Sequence, residues 1–413
     1  MDAAARSRIA DPSLASSGEQ RIAWVARHSP VLNRLARGRL ADGALAGRRV
    51  AVVVHLEAKT AYLATLLADA GAHVVASGSN PGSTQDPICA ALVARGIEVH
   101  ASHDASREQF DADLLAVADT EPELVVDDGA ELTARIVEHR AELAARLAGV
   151  TEETTTGVAR LRALEAAGKL TFPAVAANDA RCKHLFDNRY GTGQSTLAAI
   201  DRLTNLNFAG REFCIVGYGW VGKGLARYAH GQGGRVTVVE IEPVAALEAH
   251  MDGHRVARLE DALPDADVVI AATGAIDAVP AEAIPLLKDG VLLANGGHHE
   301  RELALDALGP GEEARPGVVA HEIPGGGTAY VLAEGRQTNV AGGDGHPVEI
   351  MDLSFSVQAL AVHLLAGGGL EPGLHGFPAE LDAEIARTKL ATLGIELGEP
   401  TAAQRAFTAG WSV

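Results

Sequence analysis

Short apolar runs alternate with amphipathic stretches along most of this chain. Residues 49–55 hold Val50-Ala51-Val52-Val53-Val54, a run too short for a buried helix and bounded by polar positions, which predicts a strand. Residues 59–70 predict a helix, 72–76 a second strand, 77–86 its turn, and 87–95 another helix. Strands follow at 97–100 and 124–126, the latter ending in Asp127 and Asp128. Upstream, residues 20–40 read as one amphipathic helix with Ile22, Trp24, Val25, Val31 and Leu35 on its apolar side. A second series starts near 210, with strands at 213–216, 235–239, 268–272 and 291–294 and a helix at 221–230. From about Met351 the chain reads as mostly helical.

Strands alternating with helices predict parallel, doubly wound sheets. The fold expected is α/β, with two Rossmann-like doubly wound parallel-sheet domains and a helical C-terminal segment. The expected boundaries are 1–188 with 351–390 for a substrate-binding domain, 189–350 for a dinucleotide-binding domain, and 391–413 for a helical tail. A hinge is expected around 187–195 and a return crossing near 345–355.

Length and charge narrow the picture. A chain of 413 residues is too long for one ordinary core. A net charge of −19 with no basic cluster argues against a nucleic-acid backbone as partner. The three cysteines, Cys89, Cys182 and Cys214, have neither C-x-x-C nor metal-site spacing, which fits a reducing cytoplasm. His103 beside Asp104 lacks further ligand spacing, so no metal is expected. Residues 1–20 lack the apolar segment of a signal peptide, and no membrane span is expected.

Gly217-Tyr218-Gly219-Trp220-Val221-Gly222 follows an apolar strand, opens a helix, and precedes a strand ending in Glu240. That context makes G-x-G-x-x-G a dinucleotide fingerprint rather than a mere glycine turn. Gly217 makes the turn, Gly219 admits the pyrophosphate, and Gly222 lets helix and strand approach. A carboxylate at Glu240 accepts from ribose hydroxyls and disfavours a further phosphate, so the cofactor expected is NAD. In the other domain His55, Asn80 and Asp128 fall at strand ends, where ligands bind in such sheets.

Several segments together resemble the S-adenosylhomocysteine hydrolase family, in order from about residue 20 to 411. They are His55-Leu56-Glu57-Ala58-Lys59-Thr60, Asn80 through Asp86, Asp127-Asp128-Gly129, Thr151 through Gly157, Asn178-Asp179, Lys183, and Phe186-Asp187-Asn188. Gly217 through Gly224, Gly297-His298 and Gly345-His346-Pro347 complete the set. The His-Leu-Glu-Ala-Lys-Thr run, Trp220 and the ending Gly410-Trp411-Ser412-Val413 resemble the short archaeal and Thermotoga-like branch. That branch lacks the Lys/Tyr-containing tail of the longer one, and it includes hydrolases of S-inosylhomocysteine.

The resemblance implies a purine nucleoside substrate oxidised at C3′, elimination across C4′–C5′, water addition, and re-reduction, in a homotetramer. It implies that Lys183 and Asp187 handle the 3′-hydroxyl, with the lysine's pKa lowered, and that Asp187 and Glu153 hold the ribose hydroxyls. Asn188 positions Lys183 or the nicotinamide. His55 and Asp128 serve acid–base steps at C5′ and C4′, His298 lies near the 5′ side, and His346 near the substrate entrance. Thr154, Thr155, Thr156, Asn295 and Asn339 contact the cofactor along with Val221, and Glu57, Lys59 and Thr60 the substrate. Taken alone, Lys183 and Asp187 read as a surface i,i+4 pair, and Glu57 and Lys59 either hold the purine edge or neutralise each other.

The chain departs from the family at Ser29, Gly82, Gly296 and His299-Glu300, where larger or apolar residues are common. Gly82 and His299 imply a wider or more polar pocket on the substrate side. Three functions follow: the hydrolase of S-adenosylhomocysteine, a paralogue running the same chemistry on another nucleoside, or an inactive NAD-binding regulator. The last predicts loss of Lys183, Asp187 or His55, and all three are present.

Overall fold

The computed structural model describes residues 3–298 and 300–411. Two sheets organise the chain. The first uses β1 (Arg49–Val53), β2 (His73–Ser77), β3 (Glu98–Val99), β4 (Leu124–Asp127), β5 (Gly149–Glu152) and β6 (Pro173–Ala176). The second uses β7 (Glu212–Val216), β8 (Arg235–Val239), β9 (Arg255–Val256), β10 (Val268–Ala271), β11 (Val291–Asn295), β12 (Gly311–Arg315), β13 (Val318–Glu322) and β14 (Thr328–Leu332). The chain then returns, and β15 (Gly373–Gly376) joins the first sheet beside β6.

The strand orders are β15-β6-β5-β4-β1-β2-β3 and β12-β13-β14-β11-β10-β7-β8-β9. Each reverses direction from a central strand, β1 or β7, as doubly wound sheets do. All pairings in the first sheet are parallel. The second is mixed, because β12, β13 and β14 form an antiparallel meander. The sequence reading missed this edge. Gly311–Arg315 is exposed throughout, so no apolar period marks it, and Gly317 (φ 76°) turns the chain with no room for a helix.

Both faces of each sheet are covered, which is why the central strands are almost wholly apolar. The relevant helices are α1 (Ala58–Asp69), α2 (Thr155–Ala166), α3 (Trp220–Gly231) and α4 (Val348–Ala366). Among the described residues α4 alone is long and apolar enough to cross a membrane, yet most of it is buried against the first sheet. It is a core helix, and it carries polar side chains into the site. The expected helix over 20–40 is instead two, Ala15–Arg27 and Pro30–Arg37. Pro30 opens the second, Ser29 binds Val25 O at the break, and Trp24 faces solvent.

The chain leaves the first domain through a π-helical segment, His184–Gly191, and re-enters through Gly345-His346-Pro347. The two crossings touch. A Cβ on Gly191 would meet the His346 ring at 3.0 Å, and one on Gly224 of α3 would meet Arg189 O at 1.8 Å. Glycine is required at both positions to bring the crossings and α3 together. The three cysteines are buried and unpaired.

Candidate active site

Many of the groups of interest sit just beyond the carboxyl end of a strand. His55 follows β1, Ser79 follows β2, Asp128 follows β4, Glu153 follows β5 and Asn178 follows β6. From the second sheet, Gly217, Glu240, Thr273 and His298 follow β7, β8, β10 and β11. The two sheets therefore present their ligand-binding edges to one cleft. It holds a cavity of about 410 Å³ lined by both domains.

One cluster surrounds Lys183, which is buried. Its Nζ donates to Asn188 Oδ1 (2.8 Å) and lies 3.3 Å from Asp187 Oδ1 and 3.5 Å from Glu153 Oε1. Asn188 donates in turn to Asn178 Oδ1 (3.1 Å), and Asn178 to Thr155 Oγ1 (3.2 Å). Asp187 accepts from Ser354 (2.7 Å) and faces His346 Nδ1 at 3.1 Å. Glu153 accepts from Gln358, whose own oxygen accepts from Thr151. Ser354 and Gln358 are one turn apart on α4, so this apolar helix is the floor that fixes both carboxylates.

The electrostatics differ from the lowered lysine expected. Burial pulls the Lys183 pKa down, but Asp187 and Glu153 outweigh it and hold the ammonium above its usual value. Burial opposes ionisation of Asp187, and Lys183 and His346 overcome it, so Asp187 is well below the usual range. Burial wins at Glu153, which rises to about 8. The site therefore holds one firm carboxylate, one ammonium, and one carboxyl that titrates near neutrality.

The second cluster is His55, Asp128 and His298. His55 Nε2 lies 3.6 Å from Asp128 Oδ2, Ser79 donates to Asp128 at 2.8 Å, and His55 Nδ1 meets Ser83 Oγ at 2.5 Å. Their polar atoms lie within 4.8 Å of one another, compact enough for proton exchange at one or two adjacent carbons or for a single cation. Burial opposes the Asp128 charge, but His55 and His298 bring its pKa below the usual value. Burial lowers His298, favouring the neutral imidazole that can take up a proton.

At another part of the cavity wall Glu57 caps α1, accepting from Lys59 N and Thr60 N, and pairs with Lys59 Nζ at 2.8 Å. Lys59 also donates to Asp344 O (2.9 Å), tying the two domains. Thr60 donates to His55 O (2.6 Å). The two side chains neutralise each other, and both line the cavity.

The dinucleotide end fits its cofactor. Gly217 has φ 98°, and a Cβ there would lie 2.8 Å from Ala272 O. A Cβ on Gly222 would lie 1.9 Å from Gly217 O, whereas one on Gly219 would meet nothing within 4 Å. That is a tight turn, a close helix contact and an open cradle, in the order the fingerprint requires. Val221, Thr154, Thr155 and Thr156 line the cavity. Glu240 accepts from Tyr218 N (2.6 Å), Ile241 N (2.7 Å) and Glu242 N (2.9 Å), which fixes its carboxylate beside the glycine turn. Asn339 is buried, donates to Ser195, and keeps Oδ1 without a hydrogen-bond partner among the described residues, which suits an amide ligand. Asn295 does not line the cavity. It donates to Gly335 O and accepts from Gly297 N, so it braces the loop leading to His298.

His346 contacts Asp187 and Thr192 at the lysine cluster and lines the cavity. A Cβ on Gly296 would lie 3.0 Å from Leu225 Cδ1 and 3.3 Å from Ile270 Cγ2. His299 lies outside the described residues. Sequence reading assigned no role to Ser79, Ser83, Asn178, Thr192, Ser354 or Gln358. The signal available for the last two was polar residues four apart on an otherwise apolar helix.

Fold and site together define a two-domain NAD-binding enzyme. The family described as S-adenosyl-L-homocysteine hydrolase matches residues 6–146, and its NAD binding domain matches 188–345. An adenosylhomocysteinase of Thermotoga maritima is 46% identical over 402 residues, covering 96% of this chain and 100% of that protein. An adenosylhomocysteinase of Thermococcus kodakarensis and an S-inosyl-L-homocysteine hydrolase of Methanopyrus kandleri are each 45% identical, covering 98% of this chain and 97% of theirs. The chain belongs to the S-adenosyl-L-homocysteine hydrolase family.

Proposed function

We propose that this enzyme reversibly cleaves S-adenosyl-L-homocysteine into adenosine and homocysteine. The observation carrying this reading is the pairing of two separate proton-handling clusters in one cavity, Lys183–Asp187–Glu153 and His55–Asp128–His298. A thioether at C5′ leaves poorly from an ordinary ribose. A ketone at C3′ acidifies the C4′ proton, and the thiolate is then lost by elimination.

NAD, which Gly217, Gly219, Gly222, Glu240 and Asn339 would hold, would supply the two-electron oxidation of C3′ and its reversal, and a positive ring near Lys183 would favour its neutral amine over the ammonium. Lys183 takes the O3′ proton and later returns it, held in line by Asn188. Asp187 and Glu153 accept hydrogen bonds from the ribose hydroxyls. In the second cluster one base removes the C4′ proton, and an acid protonates the departing sulfur. The same pair then delivers water to C5′ and a proton to C4′, closing the balance. Buried ionisable groups with opposed shifts are suited to such work.

A second reading is the same oxidation and elimination on another purine nucleoside. It would act on S-inosylhomocysteine, or on a nucleoside that loses its 5′ group without adding water. The Glu57–Lys59 pair is compatible with it, because one acceptor beside one donor matches either a 6-amino or a 6-oxo purine edge with the two partners exchanged. Incubating the holoenzyme with S-adenosylhomocysteine, S-inosylhomocysteine and adenine nucleosides, followed by mass spectrometry, separates the readings. Homocysteine released from S-adenosylhomocysteine and not from S-inosylhomocysteine supports the first. Homocysteine released from S-inosylhomocysteine alone, or an unsaturated nucleoside accumulating without homocysteine, supports the second.

We also propose a cytoplasmic homotetramer. Three buried free thiols suit a reducing compartment, and Leu393, Leu397, Phe407 and Trp411 leave an exposed apolar C-terminal arm suited to a subunit contact.

A further inference from the structure

A second cavity, of about 890 Å³, adjoins the first, and His298 lines both. We propose that this outer chamber seats the α-amino-acid head of a thioether substituent at C5′, with Arg301 anchoring its carboxylate. The proposal rests on the function proposed above, which sets the C5′ end of the sugar at the His55–Asp128–His298 cluster.

Among the described residues the two cavities share His298. With nucleoside and nicotinamide in the inner cavity, a substituent on C5′ would extend past His298. The walls there come from both domains, and most of their charges are committed. Arg135 pairs with Asp111 and Glu131, Arg160 with Glu131, and Arg336 with Asp104 and Glu334. Arg107 and Arg301 also line the chamber, and no carboxylate among the described residues pairs with either; of the two, Arg301 stands three positions after His298, the residue shared with the inner cavity. Its neighbour in sequence, Glu300, lines the same chamber and takes only a 3.3 Å bond from Asn80. An uncommitted guanidinium beside a lightly engaged carboxylate complements a carboxylate and an ammonium on one carbon.

Gly82 explains how the chamber is kept open and polar. A Cβ there would lie 2.7 Å from Arg336 Nη1 and 2.9 Å from its Cδ. The bare glycine leaves room for Arg336 to cross to Asp104, from the second domain to the first, and so to wall the chamber with charge rather than with an apolar side chain. Gly82 itself lines the outer chamber and not the nucleoside cavity.

The test uses the NAD-loaded enzyme and three probes: S-adenosylhomocysteine, its 3-aminopropyl analogue lacking the carboxylate, and 5′-methylthioadenosine. Arg301→Gln should lower kcat/KM for the first by about tenfold, the scale of one charge-assisted contact in a partly open site. It should leave the other two unchanged, and Arg301→Lys should restore part of the loss. The parent enzyme should lose a similar factor on removal of the carboxylate. Equal loss on all three probes, or no loss on any, overturns the assignment. Adding adenosine alone tests the underlying reading: reduction of bound NAD without turnover of any thioether removes the head-group seat and leaves the sugar oxidation standing. Absence of both removes both.

Discussion

The Lys183 ammonium stands 3.3 Å from Asp187 Oδ1, and the π-helical segment that begins at His184, directly after the lysine, carries the aspartate. An i,i+4 pair in that order is ordinarily a weak surface contact. Here α4 lies against the π-helical segment, both residues are buried, and Ser354 and His346 complete the carboxylate's partners. A pair of this kind acts as a fixed charge arrangement, and π-helical turns recur at such sites.

Glu153 makes the stability of the empty enzyme depend on pH. Its carboxyl rises from the usual 4.5 to about 8, so between those values the folded state holds a proton that the unfolded chain releases. Its contribution is fully favourable below pH 4.5 and is lost as pH rises through 8. Glu153→Gln should therefore gain on the parent across that window, by at most a few kcal/mol. Melting temperatures of both proteins from pH 5 to pH 9 check this. Parallel curves would contradict it.

Gly222→Ala places a methyl 1.9 Å from Gly217 O, a contact that forces the turn open. The loss expected is about 1–3 kcal/mol of local stability, as for other overpacked positions, together with NAD retention. Cofactor content after purification is the measurement, and full occupancy in the variant would contradict the cradle described here.

Glu240→Ala removes the carboxylate that accepts from three backbone N–H groups at the glycine turn. NAD should bind at least about tenfold more weakly, while NADP, freed from charge repulsion, should lose less. Dissociation constants for both dinucleotides check the ratio. An unchanged ratio would remove Glu240 from cofactor selection.

The proposed assembly predicts a mass near four chains by light scattering. Trp411→Ser combined with Phe407→Ser should shift the population toward smaller species, because both side chains are exposed in the single chain. A stable, fully active monomer would contradict the tetramer.

The βα alternation, the glycine turn and the strand-end acids were legible in the sequence because each has a local cause: a short apolar run, a required positive φ, a strand terminus. The edge meander was not, since Gly311–Arg315 has no buried face. The strands Gly149–Glu152 and Pro173–Ala176 were missed as well, each having a single valine and no Ile or Leu to mark an apolar run. The site residues His55, Asp128, Glu153, Lys183 and Asp187 came from a family pattern rather than from periodicity. Their supports could not be read that way. Ser354 meets Asp187 across 167 positions and Gln358 meets Glu153 across 205, so only the fold brings them together. The direction of the Lys183 shift was misjudged for the same reason: it depends on how many carboxylates converge.

The central claim is that one cluster serves oxidation at C3′ and the other serves elimination at C4′ and C5′. Absorbance of NADH in the purified holoenzyme, followed after adding substrate, reads the two separately. Lys183→Ala should show little or no NADH, with oxidation slowed by roughly 10²–10⁴-fold. His55→Ala and Asp128→Asn should form NADH and then stall, with no leaving group released. NADH formation by Lys183→Ala at the parent rate, or full turnover by His55→Ala, would contradict the division of labour assigned to the two clusters.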